Sequence, residues 1–122
     1  MEHQAMEHQA AKHLNEAVQG LRASGHEQEL PHGLLARAAY ERIHGERRRA
    51  EADLNEAEEI AERGGMRLHL ADVHLQRTAL HLQFDEKDEA RRRLDRAVAL
   101  IDECGYERRR RDVEYLAKHL SV

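Results

Sequence analysis

LNEAVQGLRASG, residues 14–25, returns as LNEAEEIAERGG at 54–65 and as LDRAVALIDECG at 94–105. The three copies begin forty residues apart. A fixed period of this length belongs to stacked repeats, in which each unit buries its apolar face on the next. Inside every copy Leu and Ala recur at helical spacing, and a glycine closes it at Gly25, Gly65 and Gly105. Glycine enters the left-handed conformation that ends a helix without steric cost. The stretch therefore predicts the last turns of a helix and its stop, three times over.

Working outward, the chain reads as six helices joined by tight turns. It begins with MEHQA written twice, at 1–5 and 6–10, which looks like a start-site feature rather than a fold signal. Met6, Ala10, Leu14, Ala17 and Leu21 nevertheless sit at helical spacing, so the first helix is expected to begin inside it and to end near Ser24. Pro31 suits the first turn of a second helix, which carries Leu34, Leu35, Ala38, Ala39 and Ile43 and is broken by Gly45. A third runs from about Glu46 to Gly64, a fourth from about Arg67 to Phe84. A polar turn at Asp85 leads to a fifth, and the sixth starts near Glu107 with Val113, Leu116 and Leu120 on its apolar side.

The period extends beyond the opening stretch: Leu35, Leu75 and Tyr115 are forty apart, as are Arg37 and Arg77. The expected fold is all-α, an α-α superhelix of about six antiparallel helices forming one domain. In it, 1–25 is the second helix of a partial repeat, 26–65 and 66–105 are full repeats, and 106–122 is a terminal helix. Both end helices then lack a stacking neighbour. They act as caps, or the chain is a piece of a longer array; the sequence favours the second reading.

Composition agrees with this class. Charged residues make up 36% of the chain and aromatic residues 3%, with few β-branched side chains, a mixture that suits helices and not strands. The formal charge of −4 argues against nucleic acid. No run of apolar residues is long enough to cross a membrane. The single cysteine, Cys104, excludes an internal disulfide, and a reducing cytoplasm is the expected compartment.

Around the turns, Gly45-x4-Ala50-x3-Leu54-x2-Ala57 is matched by Asp85-x4-Ala90-x3-Leu94-x2-Ala97, and its tail by Ala10-x3-Leu14-x2-Ala17. Small residues on either side of a large one let neighbouring helices approach closely. This pattern resembles the tetratricopeptide repeat over about residues 6–120, with two departures. The period is forty rather than about 34, and the family's aromatic and proline signatures are missing. Degenerate repeats of this longer kind look like those of large bacterial signalling proteins, and ERGGMRLHLADVHL (62–75) with GYERR (105–109) resembles their last repeats. HEAT-type repeats are the alternative on length, but the Ala-Leu-Ala spacing favours the first.

Candidate chemistry is sparse. His74, His81 and Asp85 form the best ligand set among ten histidines, yet Asp85 falls in the turn, and neither HExxH nor CxxC occurs. Solvent-exposed histidines and no metal or cofactor are expected. Of the arginine runs 47–49, 91–93 and 108–111, the first two begin second helices, where Asp88–Arg92 and Glu89–Arg93 are spaced to pair. The densest, Arg108–Arg111, could meet an acidic or phosphate group, but Glu107, Asp112 and Glu114 around it favour a solvated face. Cys104 has no histidine close in sequence, which leaves a hydrolase as the least favoured reading; no enzyme is expected.

A binding surface remains. On the fourth helix Leu70, Val73, Leu80 and Phe84 form one apolar stripe and Leu75, Thr78 and Leu82 another, as a helix packed on both flanks requires. The resemblance implies that first helices line a concave groove. Its positions here would be His32, Ala36, Ala39 and Ile43 on the second helix. Asp72, Gln76, Ala79 and Gln83 match them on the fourth, and Asp112, Leu116 and His119 on the sixth. The leading expectation is a scaffold or sensor module that binds a protein or peptide. The competing one is self-association through apolar stripes left open on the end helices.

Overall fold

The computed structural model describes the backbone of residues 2–121 and the side chains of residues 8–121, so Met6 in the first apolar stripe lies outside the described side chains. The chain is all-α and helical repeat-like, with α1 (Glu2–Ala23), α2 (Leu30–Ile43), α3 (Arg47–Gly64), α4 (Arg67–Gln83), α5 (Lys87–Cys104) and α6 (Arg110–Leu120). A 3-10 turn, Glu107–Arg109, precedes α6. Among the described residues there is no strand, and no helix is long and apolar enough to cross a membrane.

The turns share one construction. Gly25, Gly45, Gly65, Asp85 and Gly105 all have positive φ, between 58° and 74°, at intervals of twenty residues. At four of these corners the residue after the left-handed one returns its N–H to a carbonyl five residues back. The bonds are Glu46 to Glu41 (2.8 Å), Met66 to Ala61 (2.8 Å), Glu86 to His81 (2.8 Å) and Tyr106 to Ile101 (3.0 Å). Each satisfies a carbonyl that the helix end would otherwise leave open. Three of these residues also start the next helix, because Glu46, Met66 and Glu86 accept from Ala50, Leu70 and Ala90 at 3.0 Å. Chain reversal at these corners thus takes about three residues.

The helices gather into two compact units, residues 1–60 and 61–122, with the division inside α3 rather than at a repeat boundary. In the first, α1 lies against α2. Gly33 lets α2 come close, since a side chain there would meet Leu21 at 2.9 Å and Val18 at 3.6 Å. Val18, Leu30, Leu34, Leu35, Ala38, Ala50, Leu54, Ala57 and Ile60 are buried. In the second, α4 and α5 form the hairpin and α6 covers it. Ala71, Leu75, Ala90, Leu94, Ala97, Leu100 and Ile101 make its core together with Leu116 and Leu120.

The Ala-Leu-Ala spacing does what it was expected to do: Ala50, Ala57, Ala90 and Ala97 have no exposed surface, and Leu54 and Leu94 are buried between them. On α4, Val73 and Leu80 of one stripe and Leu75 and Thr78 of the other are buried, Leu70 and Leu82 are half-buried, and Phe84 is exposed. The apolar stripe of α6 is not open: Leu116 and Leu120 are buried in the core of the second unit, with Val113 half-buried against it. On α1, Ala10 and Ala17 are exposed and Leu14 and Leu21 are half-buried.

Candidate functional site

The groove positions separate by helix. On α2, His32, Ala36 and Ile43 are exposed and Ala39 is half-buried; Ile43 is a large apolar side chain left 68% exposed. On α4, Asp72, Gln76 and Ala79 are half-buried and Gln83 is exposed. On α6, Asp112 and His119 are exposed, but Leu116 belongs to the core and has no surface to offer a ligand. Asp72 is also occupied, because the Arg109 guanidinium donates to it at 2.8 Å.

That bond decides the densest arginine run. Arg109 ties the 3-10 turn to α4 through Asp72 and lies over the Tyr106 ring, as does Arg108. Arg110 donates to Asp102 and to Glu107 (3.1 Å), so both partners come from its own unit. Arg92 turns to Glu89 at 2.6 Å instead of to Asp88, while Glu89 also accepts from Arg93 at 3.1 Å, the pairing the spacing predicts. These two arginines hold the Glu89 carboxyl below its usual range.

The histidine set does not assemble. Among the described residues no group of three His, Cys, Asp or Glu side chains is placed to hold a metal ion. His74 is buried, against the expectation of exposed histidines, and its Nδ1 lies 3.5 Å from Arg93. His81 instead approaches Glu86, 2.9 Å away, and Asp85 is in the turn. An open polar cleft at this α4–α5 corner is lined by His81, Asp85–Glu89 and Arg92. Cys104 is exposed at the last position of α5.

The most concentrated buried chemistry is in the first unit and was not read from the sequence. Glu41 on α2 and Asp53 on α3 are 8% and 5% exposed, and Arg37 on α2 lies between the helices. The Arg37 guanidinium donates two bonds to Asp53, at 2.7 and 2.8 Å, and one to Asn15 on α1 at 3.3 Å. A parallel pair of this kind is the strong form of a charge-assisted contact. A side-chain hydrogen bond also joins Glu41 to Asp53, while Glu41 Oε1 is buried with no hydrogen-bond partner.

Burial pushes the Glu41 carboxyl up to about 8, with the bond to Asp53 and that residue's negative charge acting the same way and Arg37 opposing them. Desolvation acts on Asp53 too, but the bonds it accepts from Arg37 and Glu41 outweigh it and hold this carboxyl below its usual range. Of the two carboxyls, Glu41 is thus the one the site favours in its protonated form, as donor to Asp53. Helical spacing contained the signal, for Glu41 follows Leu34 and Ala38 on one face and Asp53 adjoins Leu54. An acid on the inward face of each of two facing helices was the clue.

The class this fold defines is an all-α protein of repeated helical hairpins. No family model matches the chain, and no curated protein or solved structure was found to be similar to it.

Proposed function

We propose that the chain is a non-enzymatic, tetratricopeptide-like interaction module that holds a protein or peptide partner, working as a scaffold or sensor arm of a bacterial cytoplasmic signalling protein. One observation carries the reading. The face of α2 formed by His32, Ala36 and Ile43 is exposed, and Ile43 leaves a large apolar side chain in water beside small and polar neighbours. An apolar side chain with polar surroundings is the usual make-up of a contact surface. Turn and core positions repeat closely from hairpin to hairpin, whereas the residues at this face differ, so recognition falls where the copies diverge.

The test is capture of partners by the immobilised full chain, with Ile43→Glu and the pair Gln76→Glu and Gln83→Glu as variants. A partner retained by the parent and lost at least tenfold with Ile43→Glu, in a variant whose helicity is unchanged, supports the reading. Equal capture by all three proteins excludes this face.

A further inference from the structure

The geometry points to the Arg37–Glu41–Asp53 cluster as a pH-sensitive catch between α2 and α3, closed by a proton shared between the two carboxyl groups and released when that proton is lost.

Three elements contribute to the cluster of Arg37, Glu41 and Asp53. From α1 come Asn15 and Arg22, from α2 Arg37, and from α3 Asp53 and Glu56, with Glu46 at the corner between α2 and α3. Two of these side chains are cations, and each is already engaged. Arg22 donates to Glu56 at 2.7 Å, and Arg37 donates twice to Asp53. No cation in this set is left for Glu41, and its Oε1 has no hydrogen-bond partner. An ionised Glu41 would face an ionised Asp53 in a site nearly closed to water, which is costly unless the charge is paired. One proton removes the conflict by turning repulsion into a hydrogen bond. The folded hairpin therefore needs the proton, while the unfolded chain does not.

The second hairpin lacks the device. Positions forty residues on from Arg37, Glu41 and Asp53 hold Arg77, His81 and Arg93. There the acid is Glu89, bonded to Arg93 rather than to a second carboxyl group. The device therefore lies in the unit that also carries the exposed α2 face.

The sign follows from proton binding. An acid that ionises near 4.5 in the unfolded chain and near 8 in the folded one leaves the folded state holding more protons between those values. Stability falls as pH rises through that window and levels off above it. The Asp53 contribution has the opposite sign and is complete below the window.

The experiment is equilibrium unfolding of the full chain from pH 5 to 9, beside Glu41→Gln, which keeps the shape and a donor but cannot ionise. Expected is an unfolding constant that rises with pH relative to the variant, by up to tenfold per unit, and a difference that flattens above pH 8 to 9. Amide protection factors at the end of α2 and the start of α3 should fall in the parent over the same range and stay level in Glu41→Gln. Carbon-13 titration of the Glu41 carboxyl in the parent chain needs no variant to fold. A midpoint near 4.5, or parallel stability profiles for the two proteins, overturns the inference; a midpoint well above 6 supports it.

Discussion

Asp85 holds a backbone angle, φ 58°, that glycines hold at the four related corners. A side chain in this region crowds the backbone, at about 1–2 kcal/mol for ordinary residues and less for Asp, whose short polar group tolerates it. The corner itself is intact, since Asp85 N–H still reaches Leu82 O at 3.2 Å and Glu86 N–H reaches His81 O at 2.8 Å. Strain is therefore concentrated in one residue that can be relieved. Asp85→Gly should raise stability by about 0.5 kcal/mol, because relief of the angle exceeds the extra freedom glycine gives the unfolded chain. Gly45→Ala, the converse change where nothing crowds a Cβ, should cost about 1 kcal/mol through the angle alone. Thermal midpoints moving in opposite directions would agree with this account, and a fall in both would contradict it.

α5 shows how a helix is specified by size as well as by polarity. Ala90 and Ala97 are completely buried and flank the buried Leu94 in one core with Ala71 and Leu75 of α4. Enlarging the small residue should force α4 and α5 apart: Ala97→Leu is expected to lose about 1–3 kcal/mol. Ala99→Leu, an exposed change on the same helix, should stay within about 0.5 kcal/mol. Denaturant midpoints for the pair separate packing from helix propensity, since both substitutions have the same chemistry. This spacing was legible in the sequence because it recurs on a fixed period and involves apolar residues, and the corner glycines were legible for the same reason. Asp53 and His74 were not. A count of apolar residues passes over a polar one on the inward face, and only the placement of Arg37 and Arg93 shows what each meets.

Across the whole molecule, periodicity gave the spacing of each stripe but not the direction in which it faces. Val113, Leu116 and Leu120 read as an open edge, yet they close the core of the second unit, because α6 turns that side toward α4 and α5. The other side of α6 carries the information about its surroundings. Pro31, Leu34, Leu35 and Ala38 on α2 are buried, as are Ala71, His74, Leu75 and Thr78 at the same places on α4. Their counterparts on α6 are Arg111, Glu114, Tyr115 and Lys118, and all four are exposed. Three charges at positions that are otherwise covered keep this face solvated and oppose contact between copies. Arg111→Ala, Glu114→Leu and Lys118→Ala together would give α6 the residues that α2 and α4 bury, and with Tyr115 they would form an apolar face. That triple variant should self-associate in sedimentation equilibrium at concentrations where the parent chain does not. If the parent already forms dimers through α6, the charges do not protect the face. If the variant stays monomeric, Tyr115 and its new neighbours are too small a patch to drive association.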